Sequence, residues 1–287
     1  MNTPLPSLPS VPDLLRRYGL RPKKRLGQNF LVDSASLRKV IQAADLAQDE
    51  HVLEIGAGLG SLTVLLAQAV RQVVAVELDA DLIAPLQEVL SPYPNVRLIH
   101  GDILQLEPAT LFAEAGVSFS VVANIPYYIT AAILRHLLEG EQRPRQMILT
   151  LQLEVAQRIC ALPGEMSLLA LSIHLYGTPS IVARIPAGAF YPKPKVDSAV
   201  LRLAVAAQPR LADTELFFRL AKAGFSQKRK TLRNALAGGL QIPVSQALQV
   251  LEAAQIEPNR RAETLSLEEW GRLVESARAY FIGRREA

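Results

Sequence analysis

Cysteine is almost missing from this sequence: Cys160 stands alone in 287 residues, beside a single tryptophan and four histidines. A lone cysteine excludes an intrachain disulfide framework and a paired-cysteine metal site. His51, His100, His136 and His174 are scattered without ligand-like spacing, so they read as structural or surface groups, and no metal is expected. Cys160, in "EVAQRICAL", reads as a small hydrophobe on a helix. No apolar run approaches the roughly 20 residues that cross a bilayer. The start "MNTPLPSLPSVPDLL" is broken by prolines and lacks early positive charge, unlike a secretory signal. No internal repeat is present, and no low-complexity tract beyond that proline-rich start. What remains is a globular, cytoplasmic chain, 49% hydrophobic and 20% charged, long enough for one large domain and a small one.

Acid is missing from two stretches. Residues 1–30 hold Arg16, Arg17, Arg21, Lys23, Lys24 and Arg25 against Asp13 alone. Residues 219–233 hold Arg219, Lys222, Lys228, Arg229, Lys230 and Arg233 and no acid at all. Because the whole chain carries only +4, the rest is net acidic. Two basic patches on an acidic body suggest a polyanionic partner, nucleic acid first, although either patch alone also suits a solvated helix face.

Strand-like apolar runs, "HVLEIG" (51–56), "QVVAVEL" (72–78), "VRLIHGD" (96–102), "FSVVAN" (119–124) and "QMILTLQ" (146–152), alternate with stretches of helical spacing. Continuous apolar strands separated by helices predict a parallel sheet covered on both faces. "SIVARI" (180–185) and "SAVLRLAV" (198–205) are joined by a short proline-rich loop with no room for a crossover helix, so the last strand is expected to be antiparallel. From residue 209 only helical patterns follow. The expected organisation is an α/β domain over 1–208, whose first 20 residues form a flexible or helical basic extension, and a helical domain over 209–287 that carries the second basic patch.

The predicted strand ends carry the chemistry. "EIGAGLG" (54–60) runs from strand into helix, where glycines let the backbone approach a ligand and free N–H groups meet its anionic part. The dinucleotide fingerprint is lacking, since its last glycine is replaced by Ser61, which disfavours dehydrogenases. Glu77, Asp102 and Asn124 close the next three strands, along the edge where open α/β sheets bind ligands. An acid at Glu77 suits the two hydroxyls of a ribose, so a nucleoside site is favoured. Singly, Asp102 also reads as a helix cap, Glu77 as a solvated charge, and Asn124 with Pro126 as turn punctuation. Two tyrosines in "NIPYY" are a surplus that a turn does not need.

Together "GQNFLVD" (27–33), "LEIGAGLGSLT" (53–63), "VELD" (76–79), "GDIL" (101–104), "NIPYYIT" (124–130), "FYPKPKVDS" (190–198) and "GFSQKRKTLRNAL" (224–236) resemble the rRNA adenine N6,N6-dimethyltransferases, in order, from about residue 20 to about 280. The connection "LPGEMSLLALS" is shorter than that family's pattern and lacks its Tyr-Gly. The resemblance implies a Rossmann-like class I methyltransferase sheet, mostly parallel with an antiparallel last strand, and a small all-helical C-terminal domain. It implies S-adenosylmethionine as cofactor, and dimethylation of two adjacent adenines near the 3′ end of small-subunit rRNA in a pre-30S particle, by an enzyme taken to be a monomer. Relatives that methylate a large-subunit adenine, or serve as transcription factors, are the alternatives.

Residue by residue, the resemblance puts Asn29 and Leu31 in a lid over the cofactor, Gly56 and Gly58 against its methionine portion, Glu77 on its ribose and Asp102 on its adenine amino group. Asn124 then stands between cofactor and substrate. The Asn124 side-chain oxygen and the Ile125 carbonyl, stiffened by Pro126, would accept the two N–H groups of the target amine. Tyr127 would stack on the flipped base and Phe190 close its other face, unless Phe190 is a core aromatic. Lys23, Lys24, Arg25, Lys228, Arg229, Lys230 and Arg233 would hold RNA phosphates. No general base is expected, because the amine proton becomes acidic only after methyl transfer.

Overall fold

The computed structural model describes residues 10–112, 116–126 and 129–282, excepting the side chains of Ala109, Phe281 and Ile282. Strands are β1 (Phe30–Leu31), β2 (His51–Ile55), β3 (Gln72–Glu77), β4 (Val96–His100), β5 (Phe119–Asn124), β6 (Gln146–Gln152), β7 (Gly177–Ile185), β8 (Phe190–Tyr191) and β9 (Ser198–Val205). Helices are α1 (Val11–Arg17), α2 (Ser34–Ala44), α3 (Ser61–Ala69), α4 (Ala80–Leu90), α5 (Thr130–Glu139), α6 (Leu153–Ile159), α7 (Leu168–Tyr176), α8 (Thr214–Phe225), α9 (Leu232–Leu240), α10 (Val244–Ala253) and α11 (Leu267–Ile282). None of them is long and apolar enough to cross a membrane. Tyr127, to which base stacking is assigned, lies outside the described residues, as does the start of the 1–20 extension.

Seven strands form one sheet in the order β4-β3-β2-β5-β6-β9-β7. β4, β3, β2, β5 and β6 are parallel, and β9 is antiparallel to β6. The continuous Val/Ile/Leu runs form the parallel strands because such strands have no wet face to mark with polar residues. Val52, Val73, Val122 and Ile148 of the sheet share one core with Leu37 and Val40 of α2 and Leu62 and Leu66 of α3.

The chain divides into two compact units. The first takes Met1–Ala156 and Pro179–Ala207, the second Gln157–Thr178 and Gln208–Ala287. Residues 157–178, assigned by sequence to the α/β domain, therefore belong to the helical unit, where the N–H groups of Gly164 and Met166 donate to the Glu263 carbonyl. An aromatic core fills that unit. Trp270, fully buried on α11, stacks on Phe225 at 6.0 Å and meets the edge of Phe217 at 6.4 Å. α8 and α9 pack so closely that a Cβ on Gly239 would lie 2.6 Å from Ala223 Cα.

The described part of the N-terminal extension begins with a helix. Ser10 caps α1, whose Val11, Leu14 and Leu15 pack with Phe30, Leu59 and Leu82, while Arg17 pairs with Glu88. That helix and the β1–β8 ribbon have too few residues to leave a periodic signature.

Candidate active site

Strand register assembles the site. Ile55 pairs with Val76 on one side and Ala123 on the other, so Gly56, Glu77 and Asn124 emerge together at the carboxyl edge. Glu77 in turn pairs with His100, which brings Gly101 and Asp102 alongside. Gly56, Glu77, Gly101, Asp102 and Asn124 all line one pocket at this edge. Gly56 and Gly58 hold φ of +75° and +61°, and a Cβ on Gly58 would meet the Phe30 ring at 3.1 Å. Only glycine lets this loop turn so tightly beneath the pocket.

Glu77 is 6% exposed, and among the described residues no cation contributes to its environment. Its two oxygens accept the Gly58 N–H and the Asp79 N–H, each at 2.8 Å. Burial pushes its carboxyl above the ordinary range, while those two N–H groups pull it back. A carboxylate gripped by backbone donors at the floor of a pocket is preorganised for the hydroxyls of a ribose. Asp102 caps a short 3₁₀ turn by accepting the Leu104 N–H at 3.0 Å through Oδ1 and also lines the pocket, so the cap reading and the ligand reading coexist. The donor set thus fits a nucleoside-bearing cofactor such as S-adenosylmethionine.

The lid expectation divides. Asn29 lines the pocket, and its carbonyl accepts Asn124 Nδ2–H at 2.9 Å. Leu31 instead turns into the sheet core, and Phe30 takes the pocket-facing place. Ile125 and Pro126 border the pocket beside Asn124. Phe190 needs correction: it is 4% exposed, pairs with Leu31 across the β1–β8 ribbon and packs in the sheet core, so it is not placed to cover a base. Its neighbour Tyr191 is the exposed aromatic of "FYPKPKVDS", at 40%.

The basic residues separate as well. Lys24 and Arg25 are exposed, but Lys23 is held by Asp79 at 2.5 Å and Asp81 at 2.6 Å, which removes it from the free cations expected there. Lys228, Arg229 and Lys230 stand exposed in the turn between α8 and α9 rather than along a helix face. Arg233 is half-buried on α9, with its Nε buried and unpartnered.

Glu54, Asp79 and Gln28 escaped the sequence reading. Glu54, mid-strand in β2, is 1% exposed, and its carboxyl is pushed up to about 8 by burial and further by the charge of Glu77, with Thr63 opposing. A charge inside the apolar run "VLEIG" was the available signal. Cys160 lies just past α6, half-buried, its thiol pushed up by burial. His136 bonds the Leu106 carbonyl and His51 packs edge-on against Phe112. Among the described residues no group of three or more His, Cys, Asp or Glu could hold a metal.

Known proteins carry the same pattern. The family profile described as ribosomal RNA adenine dimethylase matches residues 19–278. A ribosomal RNA small subunit methyltransferase A from Dehalococcoides mccartyi is 48% identical over 90% of this chain and 89% of its own. Another of that name from Moorella thermoacetica is 43% identical over 90% and 93%. Among solved structures, a dimethyladenosine transferase from Plasmodium falciparum superposes with a TM-score of 0.76 at 25% identity, over 88% of this chain and 98% of that one. The 23S rRNA methyltransferase ErmE superposes at 0.69 and 30% identity, over 86% and 99%. The chain belongs to the ribosomal RNA adenine dimethylase family, whose members use S-adenosylmethionine.

Proposed function

We propose that this enzyme dimethylates N6 of two adjacent adenines near the 3′ end of 16S rRNA in a pre-30S particle, acting as a cytoplasmic monomer without metal. The observation that carries the reading is the convergence of Gly56, Glu77, Asp102 and Asn124 on one pocket at the carboxyl ends of four neighbouring strands. The 48% and 43% identical relatives are named for the small subunit, which favours that rRNA over the large-subunit alternative.

S-adenosylmethionine supplies an electrophilic methyl group on a sulfonium. The protein's task is to make a poor nucleophile attack, because the lone pair on adenine N6 is delocalised into the ring. Asn124 is anchored through Nδ2 to the Asn29 carbonyl, which directs Oδ1 to the target amine as acceptor. The Ile125 carbonyl, biased to extended backbone by Pro126, takes the second N–H. With both N–H groups held, the nitrogen is drawn toward tetrahedral and its lone pair aims at the methyl. The proton leaves to water after transfer, so no side-chain base is needed. Tyr127 stacks on the flipped base, a role that rests on the sequence motif. Lys24, Arg25, Lys228, Arg229, Lys230 and Arg233 supply phosphate contacts, and residues 209–287 with 157–178 form the RNA-binding domain.

Mapping N6-methylated adenines in rRNA from a strain lacking this gene, with and without complementation, tests the assignment. Loss of two adjacent dimethyladenines near the small-subunit 3′ end is expected. Loss confined to a large-subunit adenine overturns it.

A further inference from the structure

Lys23, Gln28 and Asn29 belong to one short segment beside the pocket: Lys23 and Gln28 are tied to Asp79, just past β3, and Asn29 to Asn124, at the end of β5. The Lys23 N–H donates to Gln28 Oε1 at 2.7 Å, which closes the segment on itself. Lys23 Nζ reaches Asp79 Oδ1 at 2.5 Å, and Gln28 Nε2 reaches Asp79 Oδ2 at 2.7 Å. Asp79 therefore grips the segment with both oxygens while capping α4, where Oδ1 also accepts the Asp81 N–H at 3.2 Å. Its own N–H donates to Glu77 Oε1 at 2.8 Å. Burial pushes the Asp79 carboxyl up, but the Lys23 ammonium and Gln28 amide outweigh it and keep it below the ordinary range, ionised throughout the neutral region.

We propose that Asp79 is a positioning residue for the cofactor: a latch that clamps the segment Lys23–Asn29 over the nucleoside pocket and couples its closure to Glu77. This rests on the pocket being the S-adenosylmethionine site. Asp79 is 4% exposed and reaches the ligand through Glu77 and the lid. The lid's far end is fixed to Asn124, the residue at the substrate. One strap thus runs along the pocket from Asp79, beside Glu77, to Asn124, and its release is what would let a bound cofactor leave.

Rapid-dilution measurements of labelled S-adenosylmethionine release from the full chain test this. Lys23→Met and Asp79→Asn, the second of which keeps a good helix cap, are each expected to speed release by ~3- to 10-fold. The double variant is expected to be no faster than the faster single one, as for two halves of one interaction. Lys23→Arg is expected to restore slow release, and raising salt to speed release from the wild type but not from Lys23→Met. Cleavage by trypsin after Lys24 and Arg25 is expected to rise in the same variants. Wild-type release rates in both single variants, or effects that multiply in the double, overturn the latch. Glu77→Ala separates the two levels. If it weakens binding while release from Asp79→Asn is unchanged, only the latch falls; if it leaves affinity intact, the pocket assignment falls with it.

Discussion

Asn124 is held at one end of its amide, and that determines what its loss does. On the proposed mechanism Asn124→Ala removes an acceptor for the target amine together with the observed tether to the Asn29 carbonyl, and leaves the basic side chains proposed for RNA phosphates in place. The expected outcome is a methyl-transfer rate lower by about 10²–10³, with affinity for a small-subunit particle little changed. Single-turnover assays that read mono- and dimethyladenine separately check it; because the second transfer starts from an amine with one N–H, the ratio of the two products should shift as well. Glu54 makes a prediction about stability. Its carboxyl, raised to about 8, stays protonated in the folded protein while the unfolded chain ionises near the ordinary carboxylate value. The unfolded form then binds fewer protons, so this group's contribution lowers stability as pH rises from about 4.5 to about 8 and levels off above. Glu54→Gln should flatten that slope and stabilise the protein by a few kcal/mol near pH 8, read by denaturant unfolding at a series of pH values.

At the scale of elements, the exposed turn between α8 and α9 is where charge reaches outward. Changing Lys228, Arg229 and Lys230 to alanine should weaken particle binding and lower the slope of log affinity against log salt by about one unit for each phosphate no longer neutralised. Cofactor affinity should not move, and an unaltered slope would count these residues as solvent-facing only. The parallel strands were legible because burial on both faces writes unbroken Val/Ile/Leu runs, and the pocket-lining positions Gly56, Glu77, Asp102 and Asn124 were legible because register places each one at the end of such a run. Asp79 was half legible: an acid before a helical pattern announces a cap, but nothing local announces Lys23 as its partner 56 residues earlier in the chain. The role given to Phe190 failed because sequence cannot tell which of two adjacent aromatics in a short ribbon faces the core. β1 and β8, of 2 residues each, fall below any periodic signal.

At the scale of the whole molecule, the two units are interleaved in sequence. α7 packs on α8 and α11, and its Leu171, Ile173 and Leu175 are buried in the helical unit. Ending the chain after Ala207 therefore does not excise a clean methyltransferase domain, since it strips that apolar face of its partners. Such a truncation is expected to aggregate and to lose cooperative unfolding, whereas removing 157–178 together with 208–287 should do less harm; light scattering and thermal unfolding compare them.

The insertion of β9 between β6 and β7 bears on how the protein is born. A chain emerging from the ribosome delivers β2 to β6 first, and β6 then ends the growing sheet as a bare edge. That edge stays open while residues 153–197 are synthesised, including a stretch destined for the other unit, and it closes only when β9 arrives. An enzyme that works on ribosomal RNA thus completes its own catalytic sheet late in its passage out of a ribosome.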